Sequence, residues 1–173
     1  MHFQRTLALL LPFLAARLVR ADCQLGNVIE DDEKTVESEE ALCKPQGEGY
    51  YTFAMQNSLV GVPTFDGDNA FAGVTGSNAF IIYDNACNRV GVYGPSNEGN
   101  DCGIPYVIME NWLPYVLTVT QVNFDVGGGD FTFSYANGEY MIGENQATCE
   151  DISEGLRGVE GCKTAFPLNG EPE

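Results

Sequence analysis

The residues FTFSYANGEYMIG at positions 131–143 constrain the possible fold more than any other part of the chain. Aromatic and small polar residues alternate there with a period of two, which places them on opposite faces of an extended strand. Asn137 and Gly138 tolerate positive φ and favour a type I′ turn, so Tyr140 and Ile142 would return on a second strand. We predict a β-hairpin with one face in an aromatic core and one face in solvent. The predicted core residues are Phe131, Phe133 and Tyr135, and the predicted solvent-facing residues are Thr132, Ser134 and Glu139.

The rest of the chain also has the residue pattern of a β protein. Alternation and β-branched content predict strands at 50–56, 78–85, 89–94 and 113–126. In the last of these, Leu117, Val119 and Gln121 would share one face of the strand. Segments 65–78 and 127–130 are rich in turn residues, and segment 150–158 has the caps of one short helical turn. We therefore predict an all-β fold, an antiparallel sandwich or small barrel with disulfide-stabilised loops and at most short helices.

The N-terminal segment MHFQRTLALLLPFLAARLVRAD has the features of a secretory signal peptide. A basic start precedes an apolar run that is too short to span a bilayer, and small residues follow it. Val19 and Ala21 favour cleavage after Ala21, although cleavage after Ala16 is an alternative. We predict a signal peptide at 1–21, a single disulfide-bonded β domain at 22–173, and an extracellular location.

The acidity of the chain limits its possible partners. Cleavage after Ala21 would leave five basic and all 25 acidic residues, a formal charge of −20. Nucleic acids and anionic membranes are recognised through basic patches, so we predict that neither is a partner. Such acidity is typical of a soluble protein that resists self-association.

The six cysteines beyond the predicted cleavage site indicate a disulfide framework, because the number is even and the chain is predicted to be secreted. These cysteines are Cys23, Cys43, Cys87, Cys102, Cys149 and Cys162. Their spacing suggests three local pairs, 23–43, 87–102 and 149–162, each worth roughly 3 kcal/mol through loop entropy. Fifteen pairings of six cysteines are possible, so connectivity stays open at this stage.

The chain lacks the residues that most catalytic mechanisms need. Cleavage would remove His2, the only histidine, which excludes Ser-His-Asp and Cys-His hydrolases and most catalytic zinc sites. Paired carboxylates remain possible, either Asp66 with Asp68 or Glu110 with Glu139, as in a glycoside hydrolase. Among 25 acidic residues such pairs also arise by chance, so we predict no catalytic residue.

A metal site at 66–71 is not favoured either. Asp66, Asp68 and Asn69 offer oxygen ligands at close spacing, but Phe71 stands where an EF-hand loop requires glycine. A turn stabilised by Asp and Asn side chains explains the same residues. We predict no structural metal and no cofactor.

The aromatic residues around position 110 are the best candidates for a binding site. Trp112 lies in MENWLPY between two Pro-Tyr pairs, which contain Tyr106 and Tyr115. An exposed Trp–Tyr patch is suited to binding a sugar or a protein surface. The alternative is that Trp112 anchors the core at the start of a long strand.

The signal peptide, the six cysteines and the segment CGIPYVIMENWLPYVLTVTQVNFDV followed by FTFSYANGEYMIG resemble small secreted cysteine-rich proteins of filamentous fungi. Many of these are regarded as candidate effectors or elicitors with a role in virulence. The resemblance implies extracellular action on a host protein or an extracellular glycan. Alternatives are a histidine-free secreted enzyme, either a carboxylate-based hydrolase or a pathway cyclase or isomerase, and a sugar-binding module.

Overall fold

The computed structural model describes residues 23–27, 40–63, 71–95, 103–144, 147–153 and 157–170. Several features of the sequence lie outside these residues. They are the predicted signal peptide, most of the acidic run after Asn27, and the residues Asp66, Asp68, Asn69 and Cys102. The strands are β1 (Cys23–Leu25), β2 (Tyr50–Pro63), β3 (Phe71–Tyr83), β4 (Arg89–Tyr93), β5 (Tyr106–Ile108), β6 (Leu117–Asn123), β7 (Asp130–Tyr135), β8 (Gly138–Met141), β9 (Thr148–Asp151) and β10 (Arg157–Pro167), with one 3₁₀ turn at Glu40–Leu42. No helix among the described residues is long and apolar enough to cross a membrane.

The strands form two five-stranded sheets that share a core, which confirms the predicted all-β fold. The first sheet has the order β1-β5-β6-β7-β8, and the second has the order β4-β3-β2-β10-β9. All pairs are antiparallel except β1 with β5, so the first sheet is mixed. The arrangement is a β-sandwich rather than a closed barrel, because each sheet keeps its own edge strands.

Aromatic rings from both sheets fill the core. Phe133 of the first sheet lies between Tyr140, whose ring is stacked 4.8 Å away, and Phe53 of the second sheet, 4.7 Å away. Its ring also meets the edge of Phe166 at 5.9 Å. Full burial of such a side chain contributes roughly 2–3 kcal/mol, and aromatic contacts add to it. The rings around Phe133 therefore join the two sheets.

The second sheet is buried on its outer face as well. Leu42 from the 3₁₀ turn packs there against Ala54, Ile81 and their neighbours. Gly161 makes this contact possible, because a Cβ at that position would lie 2.2 Å from Cδ2 of Leu42. A strand that is buried on both faces has no polar alternation, and residues 52–58 of β2 are all buried.

The disulfide bonds confirm one predicted pair and correct the others. Cys149 is bonded to Cys162, as predicted, and these residues lie directly opposite each other on β9 and β10. Cys43 is bonded to Cys87, so the predicted 23–43 and 87–102 pairs are wrong. Cys43 lies over the outer face of the second sheet, whereas Cys23 belongs to the core between the sheets. Cys23 is also disulfide-bonded, and its partner lies outside the described residues.

The hairpin at 131–143 is present with the predicted faces, but its turn is one residue earlier. Side chains along β7 alternate between buried and half-buried, with the three aromatic residues inside. Tyr135 pairs with Gly138, so the turn residues are Ala136 and Asn137. Ala136 has φ of +50°, and neither Asn137 nor Gly138 has positive φ. Gly138 is required for a different reason, since a Cβ there would lie 2.7 Å from the Tyr140 ring.

A β-bulge changes the predicted faces of β6. Leu117 and Val119 share a buried face, but Gln121, which was predicted to share that face, is exposed. Val119 pairs with Phe133 and Gln121 pairs with Thr132, the residue before Phe133, so Thr120 is an extra residue. Beyond the bulge the alternation is reversed, and Val122 packs against the core.

Several element boundaries also differ from the sequence predictions. The region 65–78 was expected to be a turn, but strand β3 begins at Phe71, and the predicted strand 113–126 is limited to Leu117–Asn123. At both ends of the predicted helical turn at 150–158 the chain is extended, because Asp151 ends β9 and Arg157 begins β10, and residues 154–156 lie outside the described residues. Strand β10 pairs with β2 over eleven residues and escaped prediction because it is buried on both faces.

The Gly138→Ala variant tests the steric role of this glycine. We expect the free energy of unfolding to fall by about 1–3 kcal/mol, because the new methyl group would overlap the Tyr140 ring. Chemical denaturation of the variant measures the change. In a Tyr140→Ala background the same substitution should cost much less. An equal cost in both backgrounds would instead indicate a backbone requirement at Gly138.

Three core tyrosines hold their protons more tightly than an exposed tyrosine. Burial raises the pKa of Tyr135 from about 10 to about 12. Its hydroxyl donates a hydrogen bond to the carbonyl oxygen of Leu168 at 2.7 Å. Burial, followed by the charge of Glu110, raises the pKa of Tyr93, and burial also raises the pKa of Tyr140.

The raised pKa of Tyr135 predicts alkaline destabilisation. Below pH 10 the folded and unfolded states both keep this proton, so the stabilisation is fully present there. Between pH 10 and 12 the unfolded state loses the proton first, and stability falls. We expect Tyr135 to account for a loss of about 1 kcal/mol between pH 9 and 11, measured by urea denaturation. The Tyr135→Phe variant should be less stable at pH 9, but its free energy of unfolding should fall less between pH 9 and 11. An equal fall in the variant and the original chain would contradict the assignment of this loss to Tyr135.

Candidate binding surface

The loop between β5 and β6 presents a group of large apolar side chains to solvent. Met109 is 49% exposed, Tyr115 47% and Val116 46%. Trp112 lies among them in the sequence and is half-buried. We call Met109, Trp112, Tyr115 and Val116 the β5–β6 surface. Scattered apolar residues are normal on protein surfaces, but such a concentration in one loop is characteristic of an interaction site.

Two contacts fix the middle of this loop. Leu113 is buried, and its backbone N–H donates to the carbonyl oxygen of Glu110 at 3.2 Å. The hydroxyl of Tyr93, from the second sheet, donates to Oε1 of Glu110 at 3.0 Å. The loop is thus held to the core and to the opposite sheet, and its exposed side chains rest on an ordered base.

Trp112 combines the two roles that the sequence left open. Its ring is stacked on Tyr51 with centroids 6.0 Å apart and planes 29° apart. Tyr51 in turn meets the edge of Phe166 in the core at 6.4 Å. Trp112 therefore extends the core outwards, and it also leaves part of its indole accessible to a partner.

Tyr115 is the most prominent of the predicted binding residues. Its ring contacts the edge of Tyr135 at 5.7 Å, and Tyr135 packs against Phe166 at 4.8 Å. Gly170, with φ of +74°, leaves room for it, since a Cβ there would lie 3.1 Å from the Tyr115 ring. A large aromatic side chain that is supported from below loses little conformational entropy when a partner binds.

The third predicted binding residue occupies a different environment. Tyr106 is only 8% exposed and belongs to the core cluster, with its ring 5.9 Å from Phe80. It lies on β5, whose three residues are all buried. Tyr106 therefore positions the start of the loop and does not belong to the β5–β6 surface.

Met109 and Val116 escaped the sequence analysis. Val116 lies within the predicted strand 113–126, but β6 starts only at Leu117, and Met109 lies beyond the end of β5. One sequence feature could have identified these two residues. It is the run of apolar residues around Pro114, which follows neither the period of a strand nor that of a helix. Apolar residues in a segment that cannot form regular structure have no sheet face to pack against, and three of them are exposed here.

The candidate acidic pair Glu110 and Glu139 is not brought together. Glu110 follows β5, whereas Glu139 lies on β8. Strands β6 and β7 separate β5 from β8, so the two carboxylates belong to parts of the sheet about 14 Å apart. Glycoside hydrolases need separations of roughly 5–9 Å. Glu110 instead accepts the hydrogen bond that secures the loop.

One further group of potential ligands has a structural explanation. Oxygen and sulfur atoms of Cys149, Glu160 and Cys162 lie within 4.8 Å of one another. The two sulfur atoms are bonded to each other, so they are not available as thiolate ligands. Oε2 of Glu160 accepts hydrogen bonds from the backbone N–H groups of Gly127 and Gly129 at 2.9 and 3.0 Å. Glu160 thereby fastens the β6–β7 turn to the second sheet.

Comparison of the chain with protein-family models, with curated proteins and with solved structures finds no match. The β5–β6 surface is therefore interpreted from its own geometry. Its four side chains contain no carboxylate and no basic group, and two of them are aromatic rings supported by the core. This arrangement is suited to burying apolar area against a partner rather than to acid–base chemistry.

Proposed function

We propose that the protein is secreted and acts by binding a host protein or an extracellular glycan, as an effector or elicitor. The observation that carries this proposal is the β5–β6 surface. Three large apolar side chains are nearly half exposed there, on a loop that is held by Leu113 and Glu110. Binding energy concentrates in a few rigid aromatic and apolar anchors, and this loop presents such anchors in a fixed arrangement.

The disulfide bonds support action outside the cell. Cys43–Cys87 and Cys149–Cys162 connect parts of the described structure, and disulfides of this kind persist mainly in oxidising compartments. The apolar N-terminal segment has the features of a secretory signal. Together they favour an extracellular partner.

A protein partner has more support than a glycan. Sugar rings usually stack on an open aromatic face, and stacking on Tyr51 leaves Trp112 with one face at most for this contact. Met109 and Val116 offer flexible and branched aliphatic contacts, which are typical of protein interfaces. We therefore assign the surface to a protein partner and leave the glycan as an outcome of the test.

The Tyr115→Ala variant tests this assignment in a host-binding or plant-infiltration assay. We expect binding to weaken by at least about 2 kcal/mol, because Tyr115 is a supported aromatic anchor. Circular dichroism and thermal denaturation should show an intact fold. Leu59→Ala is the matched control, since Leu59 is 40% exposed but lies on β2, and it should bind normally.

Two amide variants distinguish binding from catalysis. Glu110→Gln and Glu139→Gln should keep their activity wherever the fold is intact, because neither carboxylate belongs to the β5–β6 surface. If either variant folds normally but is inactive while Tyr115→Ala is active, the activity depends on that carboxylate and not on the β5–β6 surface, and the proposed function is wrong.

A further inference from the structure

The turn between β3 and β4 contains an acceptor sequence of the kind used for N-linked glycosylation. Residues 85–87 read Asn-Ala-Cys, and no Asn-X-Ser or Asn-X-Thr sequence occurs in the chain. The transfer enzyme recognises the third residue, which is usually a hydroxyl side chain. A thiol can replace the hydroxyl, because it also donates and accepts a weak hydrogen bond. Asn85 is therefore a candidate for modification while Cys87 is still reduced.

The turn presents this sequence at the protein surface. The backbone N–H of Cys87 donates to the carbonyl oxygen of Asp84 at 3.0 Å, so Asn85 and Ala86 are the two central residues of a β-turn. Ala86 is exposed and Asn85 is half-buried. Oδ1 of Asp84 accepts hydrogen bonds from the backbone N–H groups of Ala86 and Asn88 at 2.9 and 2.8 Å. The shape of the turn thus depends on Asp84 and not on the amide of Asn85.

The amide of Asn85 is held in an orientation that suits modification. Its Oδ1 accepts a hydrogen bond from the backbone N–H of Gly47 at 2.9 Å, whereas its Nδ2 donates to none of the described residues. Because oxygen and nitrogen lie on opposite sides of the amide group, this bond turns Nδ2 away from Gly47. An N-linked glycan is attached to the amide nitrogen and leaves the carbonyl oxygen in place. The contact with Gly47 therefore survives modification, and Nδ2 has no bond to lose.

The disulfide bond of Cys87 sets the order of events. In the folded protein Cys87 is bonded to Cys43, so its thiol is not available to the transfer enzyme. The transfer takes place on the extended chain, before folding is complete. Cys43 and Cys87 are 44 residues apart, and pairing of β2 with β3 brings them together. Transfer and disulfide formation therefore compete for Cys87, and we expect modification of only part of the molecules.

We propose that Asn85 is a site of N-linked glycosylation. The donor is an oligosaccharide that is linked to a lipid diphosphate. Nδ2 forms a bond to the first carbon of the oligosaccharide, the bond from that carbon to the diphosphate breaks, and the amide nitrogen gives up one proton. The step exchanges no electrons, so the thiol of Cys87 is unchanged and can still pair with Cys43. The proposal rests on the proposed secretion of the chain but not on the β5–β6 surface.

The test is cell-free translation of the full chain in the presence of microsomes. Protection from added protease measures entry into the microsomes, and a gain in mass that peptide-N-glycosidase removes measures the glycan. A second form carries an established secretory signal before the full chain, so that its entry does not depend on its own N-terminal segment. We expect part of the protected chain to gain one glycan, and we expect Asn85→Gln to lose it completely.

Cys43→Ala and Cys87→Ala form the matched pair, because each substitution breaks the same disulfide bond. Cys43→Ala leaves the thiol of Cys87 without its competing partner, so a larger fraction of the protected chain should be modified. Cys87→Ala removes the acceptor sequence, so the glycan should be absent. The transfer precedes folding, so a variant that fails to fold still gives a readable result.

Asn100 and Cys102 have the same spacing, and Asn100→Gln should keep the glycan at Asn85. A glycan that is lost in Asn100→Gln and kept in Asn85→Gln would overturn the proposal. Equal modification of Cys43→Ala and Cys87→Ala, or no modification of protected chain in either form, would overturn it as well. If only the second form is protected and modified, the proposed secretion is wrong, whereas the assignment of Asn85 as an acceptor is supported.

Discussion

Packing of aromatic rings between the two sheets is the interaction on which the rest of the structure depends. Phe133 stands at the centre, between Tyr140 on its own sheet and Phe53 on the other, and Phe166 closes the group from β10. These contacts require β7 to face β2 and β10, which fixes how the sheets lie on each other. Gly138 is part of the same constraint, because only a residue without Cβ leaves room for the Tyr140 ring.

The candidate binding surface is an outward continuation of this aromatic core. Tyr115 rests on Tyr135, and Trp112 rests on Tyr51, while both supporting rings contact Phe166. The two aromatic residues of the β5–β6 surface are therefore supported by rings of the core. Support of this kind reduces the entropy that is lost when a partner binds. The same rings stabilise the fold and hold the proposed site in position.

The sequence predicted those parts of the fold that obey a simple period. β7 alternates cleanly because its outer face is open, so Phe131, Phe133 and Tyr135 were assigned correctly. β10 is buried on both faces and carries no alternation, so it was missed. A bulge adds Thr120 to β6 and reverses which side chains face the core beyond that point. No residue type in this segment predicts a bulge. Cysteine spacing failed for Cys43, since the sheets bring Cys87 to it from 44 residues away.

The sequence predicted which kind of side chain the candidate site contains, but it did not predict which residues belong to the site. Aromatic density around Trp112 indicated a loop whose apolar side chains are exposed, and Tyr115 is one of them. Tyr106 looked equivalent in the sequence, but its position on a fully buried strand places it in the core. Exposure depends on how a loop leaves its sheet, and sequence patterns do not contain that information. Met109 and Val116 were missed for the same reason.

Hydrogen exchange of the purified protein, free and bound to the partner that it captures from a host extract, tests the central claim most directly. If the β5–β6 surface makes the contact, protection on binding should be concentrated at residues 109–116 and at the adjoining ends of β2 and β7. The outer face of the first sheet should exchange as it does in the free protein. Protection confined to that outer face, with residues 109–116 unchanged, would contradict the account.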